Sequence, residues 1–162
     1  MSFWQTFYHI VWSTKQRAEL ITPEVEDVLY PYIRAKADEF EVGIHAINGW
    51  YEHVHLVVSI PPKHAISYIV KNIKGSSTHY LNHVHRQLLN GQFKWQRGYG
   101  VMSLGKSRLD FAIQYVNNQK KHHTESTTNS WLERCDEVEG SNSSMIIRES
   151  QAHYETRILN PF

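Results

Sequence analysis

The chain contains a single cysteine, Cys135, so it can form neither an internal disulfide nor a zinc site built on several thiolates. It also lacks a long uncharged apolar run, which argues against a membrane span. The N-terminal stretch MSFWQTFYHIVW has no basic leader and no small-residue cleavage pattern, so we predict no secretory signal and a cytoplasmic location. Eleven histidines are left as the abundant side chains that could bind a transition metal.

Several signatures of well-known enzymes are missing as well. We find no glycine-rich phosphate loop with its lysine, no G-x-S-x-G elbow and no HExxH helix, so nucleotide hydrolysis and serine or zinc protease chemistry have no support. The 162 residues fit one domain, and 41% hydrophobic residues are enough for a core. We predict one domain over residues 1–123, followed by an acidic, polar tail over residues 124–162.

Acidic residues are nearly absent from the middle of the chain. Residues 1–60 carry four lysines and arginines against eight acidic residues, residues 61–123 carry ten against one, and residues 124–162 carry three against seven. The net charge of +1 therefore hides a strongly basic segment. On charge alone, this segment could bind phosphates, or it could be a solvated surface paired with acidic residues elsewhere.

Hydrophobic periodicity predicts the order β-α-β-β-α-β. This is the order of the ferredoxin-like split βαβ fold, an α+β arrangement with a four-stranded antiparallel sheet, two helices on one face and the other face open. The predicted strands are 6–13, 44–48, 53–60 and 93–104, with one helix from the Thr22 N-cap toward Gly43 and another from Ile66 to Leu88.

A third helix is predicted after the fourth strand. Ser107 and Asp110 match a capping box, and an apolar stripe through Leu109 and Val116 carries the helix to about His123. The residues that follow are acidic and rich in serine, threonine and asparagine, which is typical of an extended or partly disordered tail. Five apolar residues could anchor its end: Ile146, Ile147, Tyr154, Ile158 and Phe162.

The strand HVHLVVSI brings two histidines to one face of the sheet. His53 and His55 alternate with apolar residues that should pack beneath the helices, so both imidazoles should share the open face at a spacing suited to one metal ion. The motif alone favours two ordinary histidines on a half-exposed strand. A second pair, His83 and His85, falls in the predicted helix, where two positions correspond to about 200° of rotation and the rings diverge.

The third helix aligns a tyrosine, an amide and an imidazole. Tyr115, Gln119 and His122 stand at i, i+4 and i+7, on a stripe about 110° from the apolar one and therefore not required for packing. The carbonyl oxygen of Gln119 can join two imidazoles around a divalent ion, with Tyr115 beside it. A phenol with a pKa of about 10 needs a base or the field of an ion before it attacks. Alternatively, Tyr115 is a partly exposed aromatic with its hydroxyl in water.

Five blocks follow one another along the chain: YHIVWSTKQR, INGWYEHVHLVVSIPP, IVKNIKGSS, WQRGYGVMS and QYVNNQKKHH. Together they resemble the single-tyrosine HUH transposases of bacterial insertion sequences of the IS200 type and their REP-associated tyrosine transposase relatives. The resemblance covers residues 6–123. It depends on all five blocks, because a two-histidine motif alone recurs in unrelated metal proteins.

The resemblance implies that His53, His55 and Gln119 bind a divalent ion, Mg²⁺ or Mn²⁺, and that Tyr115 is the nucleophile. Members of the family cut one DNA strand, hold its 5′ end as a phosphotyrosine, release a 3′ hydroxyl and rejoin strands in DNA transposition. The implied partners are single-stranded DNA, as hairpin ends of a mobile or repeated element, and a second copy in a homodimer that can share its active sites. The candidate DNA-binding residues are Lys71, Lys74, Arg97, Lys106, Arg108, Lys120 and Lys121.

Two other functions are compatible with the same residues. A ferredoxin-like sheet with aromatic side chains can bind single-stranded nucleic acid without cutting it. A metal-dependent nuclease can instead use activated water, and its product carries no covalently bound protein.

The acidic tail after residue 123 distinguishes this chain from the shortest members of the family that it resembles.

Overall fold

The computed structural model describes residues 2–130 and 132–135, and the distal part of the predicted tail with its five apolar anchors lies outside them. Within these residues, no helix combines the length and the apolar character that a membrane span requires. The strands are β1 (Phe7–Ser13), β2 (Gly43–Trp50), β3 (His53–Ser59) and β4 (Gly100–Leu104). The helices are α1 (Pro23–Asp38), α2 (Ile66–Val84), α3 (Lys106–Asn117) and α4 (Gln119–Thr124), with 3-10 turns at Lys15–Arg17 and Arg86–Leu88.

The four strands form one antiparallel sheet in the order β2-β3-β1-β4. This is the ferredoxin-like arrangement, so the predicted α+β class and topology are confirmed. The hairpin between β2 and β3 turns through Tyr51 and Glu52 alone, because Trp50 pairs with His53. The two central strands, β1 and β3, therefore lie side by side with partners on both edges.

Helices α1 and α2 cover one face of the sheet, as predicted. The side chains of β3 that face them come from every second position, and the same core contains residues of β1, α1 and α2. Val54, Leu56 and Val58 of β3, and Ile60 directly after it, are each at most 2% exposed.

Helix α1 begins where the sequence predicts and ends earlier. The Thr22 hydroxyl accepts a hydrogen bond from the backbone amide of Val25 at 3.3 Å, and Pro23 occupies the first helical position. The predicted continuation toward Gly43 is wrong. The helix ends at Asp38, and Glu41, with a φ of 58°, turns the chain into β2.

The predicted fourth strand, 93–104, is also too long. β4 begins only at Gly100, and before it a single bridge joins Trp95 to Thr14. The backbone of Phe93 is held by α2 instead, since the Asn82 side chain donates to its carbonyl and accepts from its amide, each at 2.8 Å. These backbone groups are satisfied without a strand partner.

The second face of the sheet is not open, which corrects the prediction. Helices α3 and α4 lie across β2 and β3 on that side. Ala46 and Val57 of the sheet form a second core with Ala112, Tyr115 and Val116 of α3. The fold therefore has three layers over β2 and β3, and three second-face side chains of β3 are buried: His53, His55 and Val57.

The predicted third helix is in fact two helices. Asn118, with φ −95° and ψ 14°, interrupts it between α3 and α4. The predicted capping box is wrong as well, because α3 begins at Lys106 with Gly105 as its N-cap and no side-chain cap. Residues after Asn118 are therefore rotated away from the positions that one straight helix would give them.

We predict that Gly49→Ala destabilises the protein by about 1–3 kcal/mol or more, the usual cost of inserting an atom into a filled space. A Cβ atom at Gly49 would overlap the backbone oxygen of His53 and lie 2.9 Å from the Cα of Val54, and backbone atoms cannot rotate aside. The matched control is Gly75→Ala in α2, where a Cβ meets nothing within 4 Å. The control should gain about 0.5–1 kcal/mol from reduced chain entropy. Urea unfolding measures both, and equal stabilities would contradict the steric argument.

Candidate active site

The side chains of His53 and His55 lie next to each other on the second face of β3. Their ring centroids are 4.9 Å apart, and their ring planes are nearly perpendicular. Both rings are buried, at 1% and 0% exposure, because α3 and α4 cover them. The prediction that they sit on an open face is wrong, whereas their common direction follows the strand alternation.

Each of these histidines is oriented through its other ring nitrogen. His53 Nδ1 lies 2.8 Å from the Glu52 carboxylate, and His55 Nδ1 lies 2.8 Å from Nε2 of His9, whose ring stacks on it. The Nε2 atoms of both rings are thereby directed to one point. Such partners fix ring orientation and tautomer in metal-binding histidines. Sequence reasoning missed His9, although it lies in the block YHIVWSTKQR, because no second histidine stands beside it in the strand, and it gave Glu52 no role.

A carboxylate from the tail occupies the point where these nitrogens meet. Glu133 Oε2 lies 3.0 Å from His53 Nε2 and 2.9 Å from His55 Nε2. Its other oxygen accepts hydrogen bonds from the Tyr115 hydroxyl at 2.6 Å and from the Gln119 amide at 3.3 Å. Sequence reasoning missed Glu133 because it is one acid among several in a segment without periodicity.

Tyr115 reaches this carboxylate from α3. Its hydroxyl also accepts a hydrogen bond from the backbone amide of Asn129 at 3.0 Å, and its ring lies 6.2 Å from that of His55. At 7% exposure it belongs to the second core, so the prediction that its stripe is not required for packing is wrong. Burial and the hydrogen bond to Glu133 raise the pKa of Tyr115, so the phenol holds its proton firmly.

Gln119, the first residue of α4, is fully buried beside the histidines. Its amide nitrogen donates to Glu133, but its carbonyl oxygen Oε1 has no hydrogen-bond partner. A buried acceptor without a partner costs about 1–3 kcal/mol, so something else must compensate in a functional protein. An oxygen of this kind beside two imidazoles is a suitable ligand for a divalent ion.

The imidazole that joins this cluster from α4 is His123 rather than His122. His123 Nε2 lies 3.2 Å from His53 Nε2, and its ring stacks on Trp50 at 4.9 Å. His122 instead stacks on the Tyr115 ring at 4.7 Å and bonds to Thr127. The break at Asn118 shifts the helical phase by which His122 had been chosen.

The two strand histidines differ in protonation. Burial opposes the charge on His53, but its hydrogen bonds to Glu133 and Glu52 outweigh burial and raise its pKa to about 9. Burial dominates at His55 and lowers its pKa to about 4. Burial likewise opposes the charge of Glu133, yet hydrogen bonds from the two histidines hold its pKa well below the usual value. The cluster thus contains the Glu133 carboxylate, whose negative charge is balanced by the protonated ring of His53.

These groups fit a divalent metal ion. The ligand atoms of His53, His55 and Glu133 all lie within 4.8 Å of one another. The Gln119 oxygen adds a fourth donor that has no other partner. Two imidazole nitrogens with oxygen ligands suit Mn²⁺ and, less strongly, Mg²⁺. The second histidine pair does not form such a group: the rings of His83 and His79 lie 4.2 Å apart, and His85 Nε2 lies 2.8 Å from the Tyr80 hydroxyl.

Of the seven predicted DNA-binding residues, three line one open groove. It has a volume of about 690 Å³ and lies between α2 and residues 94–99. Lys71 and Arg97 are exposed there. Lys74 instead donates to the carbonyls of Gln96, Arg97 and Gly98 at 2.5–3.3 Å, so it fixes the wall of the groove.

The other four predicted residues lie on α3 and α4. Lys106 and Lys121 are exposed and Arg108 is partly buried. Lys120 pairs with Glu26 and donates to the carbonyl of Gly49 at 2.9 Å. Its ammonium therefore ties α4 to the opposite layer, and its predicted role toward DNA has little support from this geometry.

Known proteins resemble this chain in sequence and in fold. It is 28% identical over 119 residues to the ISDra2 transposase TnpA of Deinococcus radiodurans, covering 72% of this chain and 85% of that protein. It is 29% identical over 122 residues to the transposase of insertion sequence IS200 from Salmonella typhimurium, covering 72% and 78%.

Two solved structures share the fold. One is a putative transposase from Deinococcus radiodurans R1, with a TM-score of 0.56 and 26% identity over 74% of this chain and 95% of that one. The other is a REP-associated tyrosine transposase bound to a REP hairpin, with a TM-score of 0.58 and 16% identity over 81% and 76%. The second supports the fold alone.

The family model described as "Transposase IS200 like" matches residues 2–119, which include both strand histidines, Tyr115 and Gln119. Because this match spans most of the chain, the protein belongs to the IS200-like transposase family, a family of DNA-processing enzymes.

Proposed function

We propose that this protein is a metal-dependent endonuclease and strand transferase that cuts single-stranded DNA through Tyr115 in DNA transposition. The observation that carries the proposal is the convergence of the Tyr115 hydroxyl, two imidazole Nε2 atoms and the Gln119 amide on a single carboxylate. A nucleophile, ligand atoms and a buried setting thus occur together, as phosphoryl transfer requires.

In this reaction the Tyr115 oxygen forms a bond to the scissile phosphorus, and the bond from phosphorus to the 3′ oxygen breaks. The products are a 5′-phosphotyrosine and a free 3′ hydroxyl, so the energy of the phosphodiester is retained for rejoining. The phenol proton leaves through the carboxylate to which it already donates, and the 3′ oxygen takes up a proton from solvent. A bound Mg²⁺ or Mn²⁺ would polarise the phosphate.

His53, His55 and Gln119 are the residues we assign to the ion. Glu52 and His9 hold the two rings in position, and the orphaned Gln119 oxygen supplies the neutral oxygen ligand. The DNA partner we propose is a single strand carrying a hairpin. The transposase of similar fold bound to a REP hairpin supports this choice only by analogy.

We predict that Tyr115 becomes covalently joined to the 5′ phosphate of the cut strand. Labelled hairpin DNA incubated with protein and Mn²⁺, then denatured, should show an adduct, which mass spectrometry should place on the peptide containing Tyr115. Tyr115→Phe should lose cleavage and adduct, because the attacking oxygen is gone, while hairpin binding stays close to normal.

Two matched controls accompany this test. His53→Ala should also abolish cleavage, whereas the double variant His83→Ala with His85→Ala should leave it intact, since those rings point to other partners. Metal-dependent cleavage without any adduct would identify a water-activated nuclease instead. Binding without cleavage under all metal conditions would identify a nucleic-acid binder.

We further predict that the tyrosine acts within its own chain, in contrast to the active sites shared between subunits that the family resemblance implies. The Tyr115 ring already lies 6.2 Å from His55 of the same chain, so a partner is not needed to complete the site. The homodimer that the family resemblance implies stays a prediction. Mixing His53→Ala with Tyr115→Phe should therefore restore no cleavage even after verified subunit exchange. Recovery of activity would show that the tyrosine helix serves the partner's histidines.

We predict that Lys71→Ala and Arg97→Ala each reduce the slope of log K against log salt for hairpin binding by about 0.7–0.9, the value for one lost phosphate contact. Both side chains are exposed on the basic groove. Lys63→Ala is the control, because Lys63 pairs with Glu41 outside the groove. Identical slopes for all three variants would show that the groove contacts no phosphate.

A further inference from the structure

The segment that carries Glu133 is fixed on both sides of the carboxylate. Before it, the amide of Asn129 donates to the Tyr115 hydroxyl, and the carbonyl of Asn129 accepts from the amide of Glu133 at 3.0 Å. After it, the buried Cys135 accepts a hydrogen bond from the Arg17 guanidinium at 3.4 Å. Glu133 is therefore positioned by its backbone rather than by a chance rotamer of an exposed side chain.

A close backbone approach provides room for this segment. A side chain at Gly100 would overlap the carbonyl oxygen of Arg134, so β4 has a glycine where the returning chain crosses it. Leu132 packs against the second core on the other side. Residues 129–130 and 132–135 thus lie against the sheet and α3, with the Glu133 side chain directed at the histidines.

Several ligand-type atoms are gathered at one point of this cluster. The Nε2 atoms of His53 and His55 lie 3.0 and 2.9 Å from Glu133 Oε2, and the ligand atoms of these three residues all lie within 4.8 Å of one another. Beside them, the buried carbonyl oxygen of Gln119 has no hydrogen-bond partner. Imidazole nitrogens together with carboxylate and amide oxygens at this spacing form a donor set for a divalent ion.

We propose that Glu133 is itself a ligand of the divalent ion, so that the segment after α4 adds an anionic donor to the metal site. This inference rests on the proposed metal site and extends its ligands beyond His53, His55 and Gln119. The donor set becomes two imidazole nitrogens, one amide oxygen and one carboxylate oxygen. A carboxylate oxygen favours hard ions such as Mn²⁺ and Mg²⁺ over softer ones.

Ligation by Glu133 also connects the ion to the nucleophile. One carboxylate oxygen faces both strand histidines, and the other accepts the Tyr115 hydroxyl hydrogen. An ion on the first oxygen would draw negative charge away from the second, so the hydrogen bond that holds the Tyr115 hydroxyl would weaken. Glu133 would thus couple metal binding to the freedom of the Tyr115 hydroxyl.

Isothermal titration of Mn²⁺ into the full-length protein tests the proposal without DNA or turnover. We expect Glu133→Gln to weaken Mn²⁺ binding by about tenfold or more, since even residues that only orient ligands have effects of this size. The matched control is Glu125→Gln, an exposed acid eight residues earlier in the same segment, which should bind as the wild type does. Glu133→Asp keeps the charge but shortens the side chain, and it is the second variant should the glutamine variant fold poorly.

Absorption spectra of the Co²⁺-loaded protein separate ligation from simple attraction by a nearby charge. Replacing a ligand changes the d–d bands, so Glu133→Gln and Glu133→Asp should alter them and Glu125→Gln should not. Weaker binding with unchanged bands, or unchanged Mn²⁺ affinity in both Glu133 variants, would overturn the inference. If His53→Ala abolishes binding in that case, the proposed metal site stands without Glu133. If the wild type binds no Mn²⁺, both proposals fail.

Discussion

The alternation of side chains along β3 is the constraint on which the rest of the site depends. Successive residues of this strand point to opposite faces of the sheet, so Val54 and Leu56 enter the core beneath α1 and α2 while His53 and His55 face α3. β3 pairs with β1 and β2 along its length, which fixes its register. A slip by one residue would place both imidazoles in the apolar core and put Val54 and Leu56 where the histidines now stand.

Covering the second face changes what the histidines can do. Beneath α3 and α4 the imidazoles are shielded from water, so hydrogen bonds to carboxylates become stronger and isolated charges become costly. His53 and His55 respond in opposite directions because only His53 has carboxylates on both ring nitrogens, whereas His55 has the neutral ring of His9 on one of them. Their different hydrogen-bond partners therefore turn two chemically identical side chains into one cationic and one neutral member of the same pair.

The fold and the centre of the site could be predicted from the sequence because their signals are local. Periodicity of two in HVHLVVSI gives the shared direction of the imidazoles, and one helical turn separates Tyr115 from Gln119. Glu133 could not be predicted, since it lies 78 positions from His55 in a segment whose described residues form no helix or strand. His123 was missed because the interruption at Asn118 changes the helical phase, and no strong breaker residue marks it.

Lys74 and Lys120 look like surface cations in the sequence, but their long side chains reach backbone carbonyls that only the folded chain brings near.

The family segment ends at Gln119, yet the carboxylate that meets the histidines comes 14 positions later. The segment by which the family is recognised thus carries the two strand histidines, Tyr115 and Gln119, while the carboxylate that accepts the Tyr115 hydroxyl hydrogen lies outside it. A change at Glu133 alone would therefore alter how the resting hydroxyl is held and leave the sheet and the histidine motif untouched.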